Sequence, residues 1–247
     1  MKVLGVIPAR YASTRFPGKP LALIAGRPLL QWVIEACQKS QKLTQFLVAT
    51  DDQRIANLAR DLGVAYEMTD SNLPTGSDRV WQAGQRHEAD VILSIQGDEP
   101  LLEGWVLDQL IAPFAQDGGL QMATLGRELS HDDLSSLNTV KIVQNSRGEA
   151  LYFSRFAIPY SRHLVEPGQK LEGALKHIGI YAYRRDFLQS YCAQPVVEIE
   201  ARESLEQLRA LYLGARIKVV KVDHESWGVD VPEDVAKVEK ILRSRMA

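Results

Sequence analysis

The 247-residue sequence predicts one α/β domain, a mostly parallel sheet flanked by helices, with a smaller region inserted between about residues 120 and 200. Three observations lead there. The strands of the first half are short, continuous apolar runs, as expected of strands buried on both faces. Each run is followed by apolar residues at helical spacing, and this strand–helix unit recurs four times with short connections. The composition, 45% hydrophobic and 24% charged, is that of a folded globular chain rather than a disordered one.

The first strand is Val3, Leu4, Val6 and Ile7, stopped by Pro8. A loop punctuated by Pro17, Gly18 and Pro20 follows, then a helix over 28–39 with Leu29, Leu30, Trp32, Val33 and Ala36 on its apolar face. Phe46 to Ala49 is the second strand. Asp51 and Asp52 suit the N-terminus of the next helix electrostatically, and Gly63 ends it. A short strand over 64–68, a turn-rich stretch over 70–77, a helix over 78–87, a strand over 91–95 and a helix over 105–115 complete the half. The second half is less regular: strands over 140–143, 177–183 and 217–222, an amphipathic helix through Leu205, Leu208, Leu211 and Tyr212, and a closing helix over 231–242. Right-handed crossovers give a doubly wound sheet, whose ligands sit beyond the carboxyl ends of the strands.

Charge and cysteine content exclude several function classes. Lys plus Arg is 29 and Asp plus Glu is 31, a net charge of −2, so no basic excess points to nucleic acid or an anionic membrane. The longest stretch without an ionisable Asp, Glu, Lys or Arg, Phe187 to Val197, is far short of the roughly 20 residues that span a bilayer. Two cysteines, Cys37 and Cys192, form neither a disulfide framework nor a metal-binding spacing, so the cytoplasm is the expected compartment.

The loop after the first strand, PARYASTRFPGKP over 8–20, holds Arg10, Arg15 and Lys19, the hydroxyls of Ser13 and Thr14, and no acid. Glu35 is the first acidic residue of the chain, and five cations precede it. At this acid content so long a run arises by chance roughly once in a hundred sequences. A polyphosphate explains it: Arg offers a planar fork, Lys a point charge, and hydroxyls and loop N–H groups fill the remaining acceptors. A solvated surface loop remains the plain alternative. No glycine-rich phosphate-loop motif is present and no two glycines stand in G-x-G spacing, so side-chain cations rather than a glycine cradle would hold the anion. QGDEP over 96–100 closes another strand at the same sheet edge, with Asp98 suited to Mg²⁺; Asp230, in GVDVPED over 228–234, is a second candidate ligand. Turn and helix-terminus roles stay open for both acids.

Eight segments together resemble the 3-deoxy-manno-octulosonate cytidylyltransferases, or CMP-KDO synthetases: PARYASTRFPGKPL (8–21), VATDD (48–52), TGSDR (75–79), QGDEP (96–100), ALYFSR (150–155), KHIGIYAY (176–183), LEQLRAL (205–211) and GVDVPED (228–234). They occur in family order across nearly the whole chain, and the first with QGDEP is highly specific. The resemblance implies a Rossmann-like nucleotide-diphospho-sugar transferase fold, a homodimer, and conversion of CTP and KDO to CMP-KDO and diphosphate with Mg²⁺, for lipopolysaccharide biosynthesis. It implies that Arg10, Ser13, Arg15 and Lys19 face the triphosphate, and that Pro8, Ala9, Thr75, Gly76, Ser77, Asp78 and Arg79 lie by the cytidine. Asp98 and Asp230 would hold the metal; Gln96, Arg155, His177, Glu206 and Gln207 would contact the sugar, Arg155 through the sugar's carboxylate. Asp70, Leu73-Pro74 and Val231 depart from the family pattern, where a basic residue, a histidine and a threonine are common. A related acidic sugar such as 8-amino-KDO, and a non-catalytic nucleotide-binding protein on the same fold, are the rival readings.

Overall fold

The structure, a computed structural model, describes residues 1–13, 15–160, 162 and 173–246. Thr14, one of the hydroxyls read into the first loop, lies outside them. Two compact units form, Met1–Asp108 with Glu225–Ala247, and Gln109–His224.

In the first unit, strand β1 (Val3–Ala9) is buried along almost its whole length. After the cationic loop come a 3₁₀ turn (Lys19–Leu21) and a two-strand hairpin, β2 (Leu23–Ile24) and β3 (Arg27–Pro28), which the sequence reading did not anticipate. Helix α1 (Leu29–Lys39) buries Leu29, Leu30, Val33, Ile34, Ala36 and Cys37, a stripe at 3.6-residue period. Strand β4 (Gln45–Thr50) leads into helix α2 (Gln53–Asp61), where the Asp52 side chain accepts from the Arg54 N–H as N-cap. Strand β5 (Ala65–Met68) precedes helix α3 (Gly76–Gly84). That helix begins two residues before the expected Asp78, because the Thr75 hydroxyl caps it through the Asp78 N–H. Strand β6 (Val91–Ser94) and helix α4 (Gly104–Gln116), which runs across the unit boundary, finish the series. The order in this unit is β6-β1-β4-β5, all parallel, with Val6 level with both Leu47 and Ser94. The loops after β1, β4, β5 and β6 therefore leave one edge of the sheet.

The second unit contains strand β7 (Met122–Glu128), helix α5 (His131–Ser135), strands β8 (Lys141–Gln144), β9 (Ala150–Ser154) and β10 (Ala174–Arg184), helices α6 (Arg185–Cys192), α7 (Glu198–Glu203) and α8 (Gln207–Tyr212), and strand β11 (Ile217–Lys221). Here antiparallel pairing dominates: β10 pairs with β7 and β8, β9 pairs with β8, and β11 runs parallel to its neighbour β7. That last pairing draws residues 217–221 beside 122–128, so the unit is wider than the 120–200 region expected. Helix α8 starts after Leu205 because Ser204 is left-handed (φ 54°) and closes α7. The chain ends in helix α9 (Pro232–Met246) of the first unit. Among the described residues no helix is long and apolar enough to cross a membrane.

Candidate active site

The cationic loop is closed by the Tyr11 carbonyl, which accepts from the N–H groups of Ser13 (3.0 Å) and Gly18 (2.9 Å). Gly18 is left-handed (φ 71°), and a Cβ there would press on the Tyr11 ring at 3.0 Å, so both conformation and space call for glycine. Arg54, held by Asp52 at 2.7 Å, stacks its guanidinium on the other requirement of the turn, the Tyr11 ring, 3.3 Å from the centroid. The loop is thereby tied to the start of α2.

Lys19 follows that turn, and its ammonium lies 2.7 Å from Asp98 Oδ2 and 3.6 Å from Asp230 Oδ1. Arg15 donates through both terminal nitrogens to Asp230, at 3.1 and 3.3 Å. Residues up to 215 positions apart thus meet in a balanced cluster of two cations and two carboxylates. Backbone bonds set it. A Cβ on Gly97 would stand 3.1 Å from the Pro8 carbonyl, so the glycine lets the loop after β6 cross the end of β1 closely. The Asp98 carbonyl accepts from the Val229 N–H at 2.9 Å, which brings the GVDVPED segment alongside. Asp234 then accepts from the N–H groups of Asp230 and Val231; burial opposes its ionisation, but these bonds and Lys237 outweigh that and lower its pKa. Next to Asp98, Glu99 is buried, and burial first, then the Asp98 charge, raises its pKa to about 7.

Both carboxylates reach a single ammonium nitrogen within 4 Å, so a cation position shared by Asp98 and Asp230 exists, and the donors are hard oxygens. Among the described residues no group of three or more His, Cys, Asp or Glu could hold a metal. Two carboxylates completed by phosphate and water is the manner in which Mg²⁺ is usually held, and the residues present fit it.

The other residues named for the nucleotide are placed differently. Arg10 is exposed, with no ion pair among the described residues, while Pro8 and Ala9 sit at the end of β1. Ser13 Oγ accepts from the Phe16 N–H at 3.3 Å. Thr75 caps α3 and also donates to Asp78 Oδ2 at 2.7 Å; Gly76 is exposed and Ser77 buried in the first turn. Arg79 is buried and pairs with Asp51 at 3.0 Å and with Thr69 Oγ1, clasping the ends of β4 and β5 to α3. Its guanidinium is used within the fold, where it braces this edge of the sheet. Gln96 is partly buried at the end of β6.

In the second unit, His177 Nε2 lies 2.9 Å from Thr124 Oγ1, and the ring meets Phe153 edge-on and Tyr181 at a tilt. Burial lowers the His177 pKa to about 3. The Tyr181 hydroxyl donates to Gln207 Oε1 at 3.0 Å; Gln207 is buried, and its Nε2 has no hydrogen-bond partner among the described residues. Glu206 accepts from the Tyr191 hydroxyl through its carbonyl. Arg155 gives Nε to the Glu203 carbonyl (2.9 Å) and Nη1 to that of Leu137 (3.3 Å). Thr124, Tyr181, Glu203 and the Arg54–Tyr11 stack were not singled out from sequence. Tyr181 at least stood inside KHIGIYAY; Thr124 carried no signal at all.

Against known proteins, the cytidylyltransferase family model matches residues 4–217. A 3-deoxy-manno-octulosonate cytidylyltransferase of Bdellovibrio bacteriovorus is 53% identical over 99% of both chains. The chain belongs to the cytidylyltransferase family. An enzyme of the same description from Geobacter sulfurreducens is 45% identical over 98% of this chain and all of that one. Among solved structures, a CMP:2-keto-3-deoxy-manno-octonic acid synthetase complexed with CTP superposes with a TM-score of 0.93 at 39% identity, covering 99% of this chain and 100% of that one. A cytidylyltransferase of Leptospira borgpetersenii, 17% identical with a TM-score of 0.68, shares the fold. The mostly parallel sheet flanked by helices is the nucleotide-diphospho-sugar transferase fold, and family membership makes the chain a nucleotidyltransferase.

Proposed function

We propose that this protein transfers the cytidylyl group of CTP to 3-deoxy-D-manno-octulosonate (KDO), giving CMP-KDO and diphosphate for lipopolysaccharide biosynthesis. The observation that carries the reading is the meeting of Arg15, Lys19, Asp98 and Asp230 at the carboxyl edge of a parallel sheet. Supporting it, a relative 53% identical over 99% of its length is named for this activity, and a structure that superposes closely was solved with CTP.

Asp98 and Asp230 would hold Mg²⁺, which when bound supplies a Lewis acid that neutralises phosphate charge. Arg15 and Lys19, freed from these carboxylates, turn to the β- and γ-phosphates and stabilise the leaving diphosphate; Arg10 and Ser13 extend that surface. The sugar's anomeric hydroxyl attacks the α-phosphorus in line. A bond forms from its oxygen to that phosphorus as the bond to the bridging oxygen of diphosphate breaks, and the hydroxyl proton passes to solvent water. The chain's contribution is positioning and charge stabilisation. Ala9 and the segment from Thr75 to Arg79 serve the cytidine; Gln96, Arg155, His177, Glu206 and Gln207 serve the sugar, with Arg155 Nη2 offered to its carboxylate. A cytoplasmic homodimer belongs to the same reading and is tested by sedimentation.

Incubation with CTP, Mg²⁺ and KDO, read as diphosphate release, tests the function. Release with CTP and KDO, and little with ATP, GTP, UTP or with 8-amino-KDO, is expected. No release from CTP with KDO, despite tight CTP binding, would overturn it.

A further inference from the structure

Thr124 sits on β7 opposite the irregular part of β10. The pairing register shifts between Ile178 and Tyr181, so that Ile178 is level with Leu125 and Tyr181 with Thr124, and Gly179 and Ile180 form a bulge. Into this bulge the Thr124 hydroxyl points with three neighbours: the Ile180 carbonyl at 3.0 Å, the Ile178 carbonyl at 3.3 Å and His177 Nε2 at 2.9 Å.

A hydroxyl has one proton to donate and two lone pairs with which to accept. Neither carbonyl can donate. A 3.0 Å contact between two oxygens is attractive only when a hydrogen lies between them, so the Thr124 proton belongs to a carbonyl, and Ile180 offers the shorter bond. What remains at the Thr124 oxygen is a lone pair, and His177 Nε2 must supply the hydrogen for it. A neutral imidazole protonated at Nε2 carries its lone pair on Nδ1. In this structure Nδ1 has no hydrogen-bond partner among the described residues, and the flanking rings of Phe153 and Tyr181 add no acceptor that would draw a second proton onto it.

We infer that Thr124 is a positioning residue that fixes His177 as the Nε2–H tautomer, leaving Nδ1 to accept a hydrogen bond from a hydroxyl of the acceptor sugar. The inference rests on the reading of His177 as a sugar contact and deepens it: His177 recognises a hydroxyl donor, and the sugar's carboxylate is left to cations. Among the described residues no other hydrogen-bond partner of the ring selects a tautomer, so the choice falls to one hydroxyl on a neighbouring strand.

The test uses the full chain with ring-¹⁵N-labelled histidine, the His177 signals being assigned from Thr124-intact protein against His177→Gln among the five histidines. In free protein at neutral pH the expected spectrum shows Nε2 protonated and Nδ1 bearing the lone pair. Thr124→Val should give a mixture of tautomers, and Thr124→Ser should restore the single form; Thr124→Ala is read in the same way should the valine variant fail to fold. Kinetically, Thr124→Val should raise KM for KDO about twofold, the cost of a competent tautomer populated roughly half the time, leave KM for CTP unchanged, and be rescued by Ser. Addition of KDO should shift the Nδ1 resonance. An Nδ1–H tautomer in the wild type, or a single tautomer unchanged in Thr124→Val, overturns the inference. An Nδ1 resonance indifferent to KDO, in a sample that releases diphosphate, overturns the acceptor role while the function stands. If no diphosphate is released with KDO, the functional reading fails on its own, and the free-protein spectra still decide the tautomer.

Discussion

Lys19 and Arg15 in the first unit and Lys141 and Arg209 in the second are all cations with close partners, yet the partners differ in kind. Arg209 and Glu200 bond at 2.6 and 2.7 Å with side chains only 3% and 6% exposed, and Arg209 also covers the Tyr191 ring and donates to the Gln194 carbonyl. Lys141 is buried with its ammonium on three backbone carbonyls, those of Ser136, Thr139 and Arg155; burial lowers its pKa. Arg15 and Asp230 are 66% and 51% exposed. The fold satisfies the buried cations permanently, and removing a partner strands a charge away from water. At the sheet edge, the same chemical types are arranged so that an incoming anion and cation can take over each other's partners at little cost. One set of ion pairs specifies structure; under the proposed function the other waits for a ligand.

The contrast breaks most easily at Asp98. Asp98→Asn keeps the size and the carbonyl that receives the Val229 N–H, yet removes the charge a divalent ion needs. Turnover should fall by at least about a thousandfold, near 4 kcal/mol of transition-state stabilisation, with the thermal midpoint unchanged. Diphosphate release and calorimetry on the same sample check it; full Mg²⁺-dependent activity in the variant would remove Asp98 from the site. The opposite behaviour is expected of Glu200→Gln, which should cost about 3–5 kcal/mol of stability by leaving Arg209 buried without its counter-charge. Equilibrium denaturation measures this, and a loss below about 1 kcal/mol would show that water reaches the pair.

How far such differences can be read in a sequence depends on whether the cause is local. The parallel half was legible because buried runs such as Val3–Ile7 and Phe46–Ala49 are continuous and the intervening helices show a clean stripe. Strand β7 was not: Met122-Ala123-Thr124-Leu125-Gly126 has neither alternation nor branched residues in a row, and it becomes a strand because β10 and β11 pair on either side of it. Arg15, Lys19, Asp98 and Asp230 were readable as candidates from charge pattern and turn context. Their convergence was not, since it hangs on a backbone bond between Val229 and Asp98. Arg79 shows a different gap: its place in TGSDR says nothing of its partners, and only the tertiary fold reveals Asp51 and Thr69 beside it.

A smaller effect separates structural from ligand-facing charge within the second unit. Asp133 caps α5 with Ser130 and pairs with Lys176 at 2.8 Å; burial pushes its pKa up, but the Lys176 and Ser130 hydrogen bonds outweigh that and hold it at about 2. A carboxyl pKa depressed on folding stabilises the native state above its unfolded value, and that stability fades as pH falls through the folded one. Asp133→Asn should therefore cost about 2 kcal/mol at neutral pH. The gap from wild type should close as pH drops from about 4 towards about 2. Urea midpoints across that range decide it, and a gap independent of pH would mean that the cap's shape, rather than its charge, carries the stability.

The smallest expected change in stability belongs to Arg15, and it sharpens the comparison because its functional effect should be large. An ion pair as exposed as Arg15–Asp230 contributes no more than about 1 kcal/mol, since water solvates both groups well and salt screens them. Arg15→Gln should leave the denaturation midpoint almost unmoved. The guanidinium's contribution should appear only when a triphosphate is present: KM for CTP should rise roughly tenfold, the scale of one charge-assisted contact. Its dependence on ionic strength should also become shallower, with one cation fewer to attract the anion. Midpoints and CTP saturation curves at two salt concentrations test both halves together. If the variant unfolds readily while CTP binding is untouched, Arg15 is structural after all, and the division between waiting and permanent ion pairs fails at the residue where it should be plainest.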